Sequence, residues 1–229
     1  MSERGIIMGA WSVRQILAGR KTATRRVIKP RNRWVARDLK QATERDEYHR
    51  AGGAGDGSML RGAIAGLVQG CLHGQPGDLL WCRERQRVIE TWVPGPDGMG
   101  IRVRYEADGA ESGWLPYPER LKGTPVVGKC LAYGGYRESS RLTLRVTDVR
   151  VERVQDISEE DARAEGVTGH DPEPVDEGGT IYAWPGRSSA PCPRAHFAHL
   201  WDSINGRRPG CSWADNPWTW AVSFERVTP

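Results

Sequence analysis

The sequence predicts a mainly β protein with α elements: a small, partly closed mixed β-barrel with flanking helices and two long loop insertions. Three observations point to it. Strand-like segments outnumber helical ones and follow one another closely, as antiparallel strands do. The run Arg141 to Val154, RLTLRVTDVRVERV, alternates apolar and polar residues over its length. That alternation slips by one position at Asp148, the mark of a bulge or bend that small barrels need.

In chain order, SVRQILAG over 12–19 reads as a short helix, with Ser12 as its cap, Val13, Ile16 and Leu17 on one face and Gly19 as its stop. The basic stretch Arg20 to Ile28 reads as a strand closed by Pro30. Residues 35–75 combine a charged run with AGGAGDGS and a weakly apolar LRGAIAGLVQG, and read as a partly mobile insertion. A Pro76-Gly77-Asp78 turn leads into a strand over 79–84, and 88–93 and 101–106 read as two more around the turn-rich PGPDGMG. Residues 107–139 read as irregular. After the long strand over 141–154, Ser158 caps a helix over 159–165 that Gly166 ends. The Pro/Gly-rich stretch 169–193 is the second insertion, with 171–180 expected to be mobile like 50–58. An amphipathic helix over 195–204 stops at Gly206, and a strand over 218–227 places Trp218, Trp220, Val222 and Phe224 on one face. One domain is expected over 1–229, with insertions at about 35–75 and 169–193.

Composition narrows the function classes. The chain of 229 residues is 38% hydrophobic, enough for a packed core, and no stretch approaches the roughly 20 apolar residues of a spanning helix. No secretory signal is read at MSERGIIMGAW, the lack of a long apolar stretch leads to no membrane partner being expected, and the cysteine usage fits a reducing cytoplasm. A net charge of +4 permits a nucleotide or nucleic-acid partner without demanding one. Five cysteines, widely spaced and without a CxxC, argue against a disulfide framework or a zinc ribbon. Ten tryptophans against two phenylalanines supply large rings for core packing and for stacking on bases.

Three groups of residues carry possible chemistry. Lys21 and Thr24 lie three apart in GRKTATRR, where a desolvated amine would serve as base for a hydroxyl; a basic solvated strand end fits the same residues. Glu165 stands at a helix C-terminus, where the macrodipole disfavours a carboxylate, so a cation such as Lys21 or Arg26 is expected to hold it. Among Trp81, Trp184, Trp213, Trp218 and Trp220, the pair Trp218 and Trp220 reads as core and Trp184, in a polar loop, as a stacking ring. His196 and His199 with Cys192 match no zinc signature, and phosphate-loop and GxSxG motifs are absent, so no metal and no cofactor are expected.

Taken in order, GRKTATRR, PGDLLWCRE, SRLTLRVTDVRVERVQDISEEDARAEGV, FAHLWDSING and NPWTWAVSFERV resemble the ASCH domain of the PUA-like superfamily, in particular its longer phage and prophage members. The resemblance covers about two thirds of the chain and omits the two insertions. It implies a PUA-like barrel. A small bacterial member removes the acetyl group of N(4)-acetylcytidine with a Lys, a Thr and a Glu. Residue by residue, this implies Lys21 and Thr24 of Gly19–Arg26, and Glu165 at the end of Ser158–Glu165, as catalytic residues. Arg26, Trp81 and Arg83 are then the expected substrate contacts. The implied activity is a metal-independent amidohydrolase acting on the acylated exocyclic amine of a nucleobase or nucleoside, with a modified nucleoside or nucleic acid as partner. Other members imply the alternative: a non-catalytic module binding RNA or modified DNA, or a nuclease.

Overall fold

The computed structural model describes residues 2–30, 33–55, 57–92, 99–118, 125–131, 135–167 and 192–227. They form a mixed α/β assembly with two sheets. The larger sheet contains β1 (Glu3–Ile7), β2 (Ala23–Val27), β3 (Leu79–Arg83), β7 (Thr143–Arg153) and β8 (Trp218–Val227), in the order β1-β3-β7-β8-β2. β1 runs parallel to β3 and every other pair is antiparallel. The smaller sheet is β4 (Gln86–Trp92), β5 (Met99–Tyr105) and β6 (Leu115–Tyr117), in that order.

Among the described residues no ladder joins β1 to β2, so the larger sheet keeps two edges. A side chain spans the gap: Arg26 Nη2 donates to the Ile7 carbonyl at 2.6 Å. The slip at Asp148 is a bulge, for the β7–β8 register shifts between Val146 and Asp148. Without it, Val149 and Val151 would leave the core face that Leu144 and Val146 occupy.

The expectation of a mainly β chain with a partly mobile insertion over 35–75 is corrected. Those residues form α2 (Arg33–Arg50) and α3 (Ser58–Gln69), which lie against the larger sheet. Glycine here permits close approach rather than looseness: a Cβ on Gly66 would stand 2.5 Å from Asp38 Oδ2. Ala42, Ala63 and Leu67 are buried in the main core. Trp220 Nε1 donates to the Leu67 carbonyl at 2.9 Å and Trp218 Nε1 to Thr43 Oγ1 at 3.1 Å. The two tryptophans read as core are therefore core, with their polar tips satisfied by the helices that cover them. Of the stretch 50–58, residues 51–55 are irregular, while Arg50 ends α2 and Ser58 opens α3; 171–180 lies outside the described residues.

Helix α1 (Ala10–Leu17) is capped by Gly9, three residues before the expected cap, so Ser12 is internal. Helix α4 (Glu159–Ala164) starts as read, with Ser158 Oγ accepting from the Asp161 amide at 3.0 Å. Helix α5 (Pro193–Asn205) presses Phe197 and Trp201 against Val154, Ile157, Ala162 and Val167, which fastens α4 to the sheet. Residues 107–139 are less irregular than expected, since they contribute β6 and a 3-10 turn, Arg137–Ser139. Between the two sheets, Arg141, just before β7, donates to both oxygens of Glu84 in the β3–β4 link at 2.8 and 2.9 Å and to Asp108, just after β5, at 2.9 Å. Among the described residues no helix is long and apolar enough to cross a membrane. Cys71, Cys82 and Cys211 are buried free thiols.

Candidate active site

Strand alternation divides the basic stretch between two faces. Thr24 pairs with Val222 and Arg26 with Trp220, so both lie on the inner, core-facing side of the sheet. Arg25 pairs with Ala221 and lies on the other side, under α4 and α5. Lys21 precedes β2, where the chain crosses the end of α4: Lys21 and Glu165 form an isolated antiparallel bridge, and the Thr22 amide donates to the Ala164 carbonyl at 2.7 Å. Gly166 makes the crossing possible, with φ of +95° in the left-handed region and the Gln15 and Lys21 side-chain stems nearest to it.

The bridge delivers one side chain to the other. Lys21 Nζ donates to Glu165 Oε2 at 2.5 Å and to the Glu165 carbonyl at 2.8 Å. Lys21 is 4% exposed and Glu165 3%, so this is a buried ion pair. Burial is the dominant influence on Lys21 and pushes its pKa below that of an ordinary lysine. The Glu165 carboxylate opposes that shift without reversing it, and the positive charges of Arg26 and Arg25 add to it. The Trp11 ring lies 5.9 Å from Nζ. A neutral amine has two N–H donors and one lone pair. Both donors have acceptors on Glu165, which leaves the lone pair to receive a proton.

Thr24 is buried on the inner face, and among the described residues no hydrogen bond links it to Lys21. Arg26 is half-buried beside it; its Nη2 bridges to β1 while its Nε is buried without a partner among the described residues. Burial lowers the Arg26 pKa, with Glu165 opposing. The cation expected to hold Glu165 is therefore found, but as two residues: Lys21 on Oε2 and Arg25 beside Oε1 at 3.5 Å. Arg25 was missed because a third arginine in a basic run carries no distinct mark; the period-2 alternation that separates it from Thr24 and Arg26 is the signal that could have singled it out.

Trp81 and Arg83 are not brought to this group. Leu80 and Cys82 take the inner positions of β3, so Trp81 and Arg83 lie on its other face, with the guanidinium 5.7 Å from the indole and both against Gly5. Arg83 Nε is likewise buried and unpartnered among the described residues. Trp213 packs on Phe197 in the α5 cluster, and Trp184 lies outside the described residues. Among the described residues no group of three His, Cys, Asp or Glu side chains is placed to hold a metal ion.

No protein-family model matches the chain, and no curated protein matches it. Among solved structures, the crystal structure of protein EF3133 from Enterococcus faecalis V583, of family-model DUF984, is similar at a TM-score of 0.36 with 11% identity, over 99% of this chain and 76% of that chain. That similarity is too low to define a shared fold.

Proposed function

We propose that this chain is an ASCH-type protein of the PUA-like superfamily, its larger sheet an opened form of that barrel, and that it is an amidohydrolase of N(4)-acylcytosine-type nucleobases or nucleosides. The observation that carries the reading is the buried Lys21–Glu165 pair, assembled from residues 144 positions apart with the lysine shifted toward its neutral form. Buried, perturbed amines of this kind are suited to base catalysis.

Lys21, as the neutral amine, takes a proton from the attacking water, which Thr24 orients. The water oxygen bonds to the acyl carbon while Arg26 faces the developing oxyanion. The carbon–nitrogen bond then breaks, Lys21 returns its proton to the departing exocyclic amine, and the carboxylic acid leaves with its own proton lost to solvent. Glu165 keeps the amine aimed throughout. Water is favoured over Thr24 as nucleophile because the Thr24 hydroxyl has no hydrogen bond to Lys21 through which to lose its proton directly. Incubation with N(4)-acetylcytidine and with oligonucleotides carrying N(4)-acetylcytosine, followed by chromatography, tests the reading. Release of cytidine or cytosine product supports it, and intact substrate under conditions where the protein is folded overturns it.

One observation favours the nucleic-acid-binding alternative. Trp34 is 59% exposed on α2, with the guanidinium groups of Arg33 and Arg37 at 5.5 and 4.9 Å from its ring. A ring between arginines suits stacking on single-stranded nucleic acid. Salt-sensitive RNA binding that Trp34→Ala weakens, in a protein without hydrolase activity, would favour that reading.

A further inference from the structure

Arg25 is the most enclosed cation of the described residues around the pair, with a side chain 0% exposed. Two anchors fix it. Its Nε donates to Glu152 Oε1 at 3.0 Å and its Nη2 to the same carboxylate of β7, while Nη2 also donates to Asp161 Oδ2 of α4 at 3.0 Å. The guanidinium carbon stands 5.8 Å from the Phe197 ring centre of α5, which closes the remaining side. Arg150 shares both anchors, 2.9 Å from Asp161 and 3.4 Å from Glu152.

The third corner of Arg25 is used differently. Nη1 has no hydrogen bond among the described residues; 3.5 Å away stands Glu165 Oε1, which has none either. The Glu165 carboxylate is therefore divided, with Oε2 bonded to Lys21 and Oε1 in the field of Arg25. The positive charge of Arg25 adds to the lowering of the Lys21 pKa by burial, against the opposing Glu165 carboxylate. The charged groups facing Lys21 are Glu165 from the end of α4 and Arg25 and Arg26 from β2, while α1 contributes the Trp11 ring.

We propose that Arg25 is a positioning residue for the Lys21–Glu165 pair: anchored by Glu152 and Asp161, its guanidinium holds Oε1 of Glu165 and so fixes which oxygen meets Lys21. This deepens the reading of Lys21 as the base and rests on it for its catalytic meaning.

The test follows the Lys21 side chain by heteronuclear NMR of lysine-labelled protein, its signal assigned by disappearance in Lys21→Gln. Arg25→Met is compared with wild type. If the single variant does not fold, Arg25→Met with Glu152→Gln removes the charge without stranding a buried carboxylate. The Lys21 titration midpoint is expected to rise by about one pH unit, the lower end of what a neighbouring charge imposes. Arg25→Lys, which keeps the charge, should return most of that shift. An unmoved midpoint in a folded variant would show that Arg25 only fastens α4 to the sheet, and overturns the proposal. The NMR comparison needs no turnover, so a wild-type protein inert toward N(4)-acetylcytidine defeats the proposed activity and leaves this result standing. In an active protein, Arg25→Met should lower kcat about tenfold below the midpoint, because one unit removes that much neutral amine, with KM little changed. A rise in KM alone would overturn it.

Discussion

Lys21 and Glu165 meet twice, once through their backbones as an antiparallel bridge and once through their side chains, with Nζ 2.5 Å from Oε2. The backbone contact does not depend on the lysine side chain. Lys21→Arg should therefore keep the crossing and fold. It should nevertheless lose acylcytidine hydrolysis by about 100-fold or more, the scale of losing a base, because a guanidinium stays protonated. Product chromatography and a thermal melt measure the two effects separately. A folded Lys21→Arg protein with nearly normal turnover would reduce the pair to an ordinary internal ion pair.

The pH dependence follows from the direction of the Lys21 shift. As a base, the lysine must be unprotonated, so kcat/KM should rise with pH and level off below the pH at which an exposed lysine titrates. Stability carries the same sign. Between the lowered folded value and the ordinary unfolded one the unfolded chain binds more protons, so the lysine's contribution is present above the unfolded value and lost as pH falls through the folded one. Urea denaturation of wild type and Lys21→Met across this window should show wild type gaining on the variant as pH rises. A difference that is flat with pH would mean that Lys21 titrates normally.

Thr24 offers a direct discrimination. With water as nucleophile and Thr24 orienting it, denaturing mass spectrometry during turnover should find only the unmodified chain. Thr24→Ser should retain partial activity and Thr24→Val lose it. An acylated Thr24 peptide would replace the water route by a covalent one.

The parts of this fold legible in the sequence are those with a strong local signature. The slip at Asp148 survives as the bulge at Val146/Asp148, and α4 is bracketed by Ser158, through its hydroxyl, and by Gly166, through its positive φ. The 35–75 stretch was misread because its glycines and alanines were weighed for chain entropy alone. Their value is tertiary: Gly66 admits Asp38, and Leu67 offers its carbonyl to Trp220, which lies 153 residues away. The site divides in the same way. Glu165 could be suspected from its unfavourable place at a helix end, but the identity of its partners depends on where β2 crosses α4, and no local pattern encodes that crossing. Arg25 and Arg26 are adjacent in sequence yet lie on opposite faces of the sheet, a division that strand alternation implies but that the basic run does not itself mark.

The tie between the two sheets should be costly to cut. Glu84 is 1% exposed and holds Arg141, which also bonds Asp108 at 2.9 Å and lies 4.0 Å from the Tyr105 ring centre. Glu84→Ala leaves a guanidinium in a half-apolar setting with only Asp108 to neutralise it. The expected loss is about 3 kcal/mol, the low end for breaking a buried pair because that second carboxylate remains. Urea denaturation measures it, and a loss within about 0.5 kcal/mol, as at an ordinary surface position, would mean that the sheets are joined by other means.

Gly166 and Gly19 form a matched pair of glycines near the site. Both have positive φ, +95° and +71°. At Gly19 an added Cβ would meet nothing within 4 Å. At Gly166 it would stand 2.9 Å from Gln15 Cβ, 3.0 Å from Gln15 Cγ and 3.2 Å from Lys21 Cβ. The near atoms are side-chain stems close to the backbone, which cannot swing aside as a side-chain tip can. Gly19→Ala should therefore cost only the conformational strain, about 1 kcal/mol. Gly166→Ala should cost about 3 kcal/mol, strain and crowding together. The difference also has a functional reading: relief of the contact with Lys21 Cβ displaces the base, so Gly166→Ala should lower kcat in protein that is still folded, while Gly19→Ala should not. Thermal melts and single-turnover rates at a temperature where both variants are folded make the comparison. Equal losses at the two positions would mean that the close approach of Gly166 to Lys21 contributes nothing to the site.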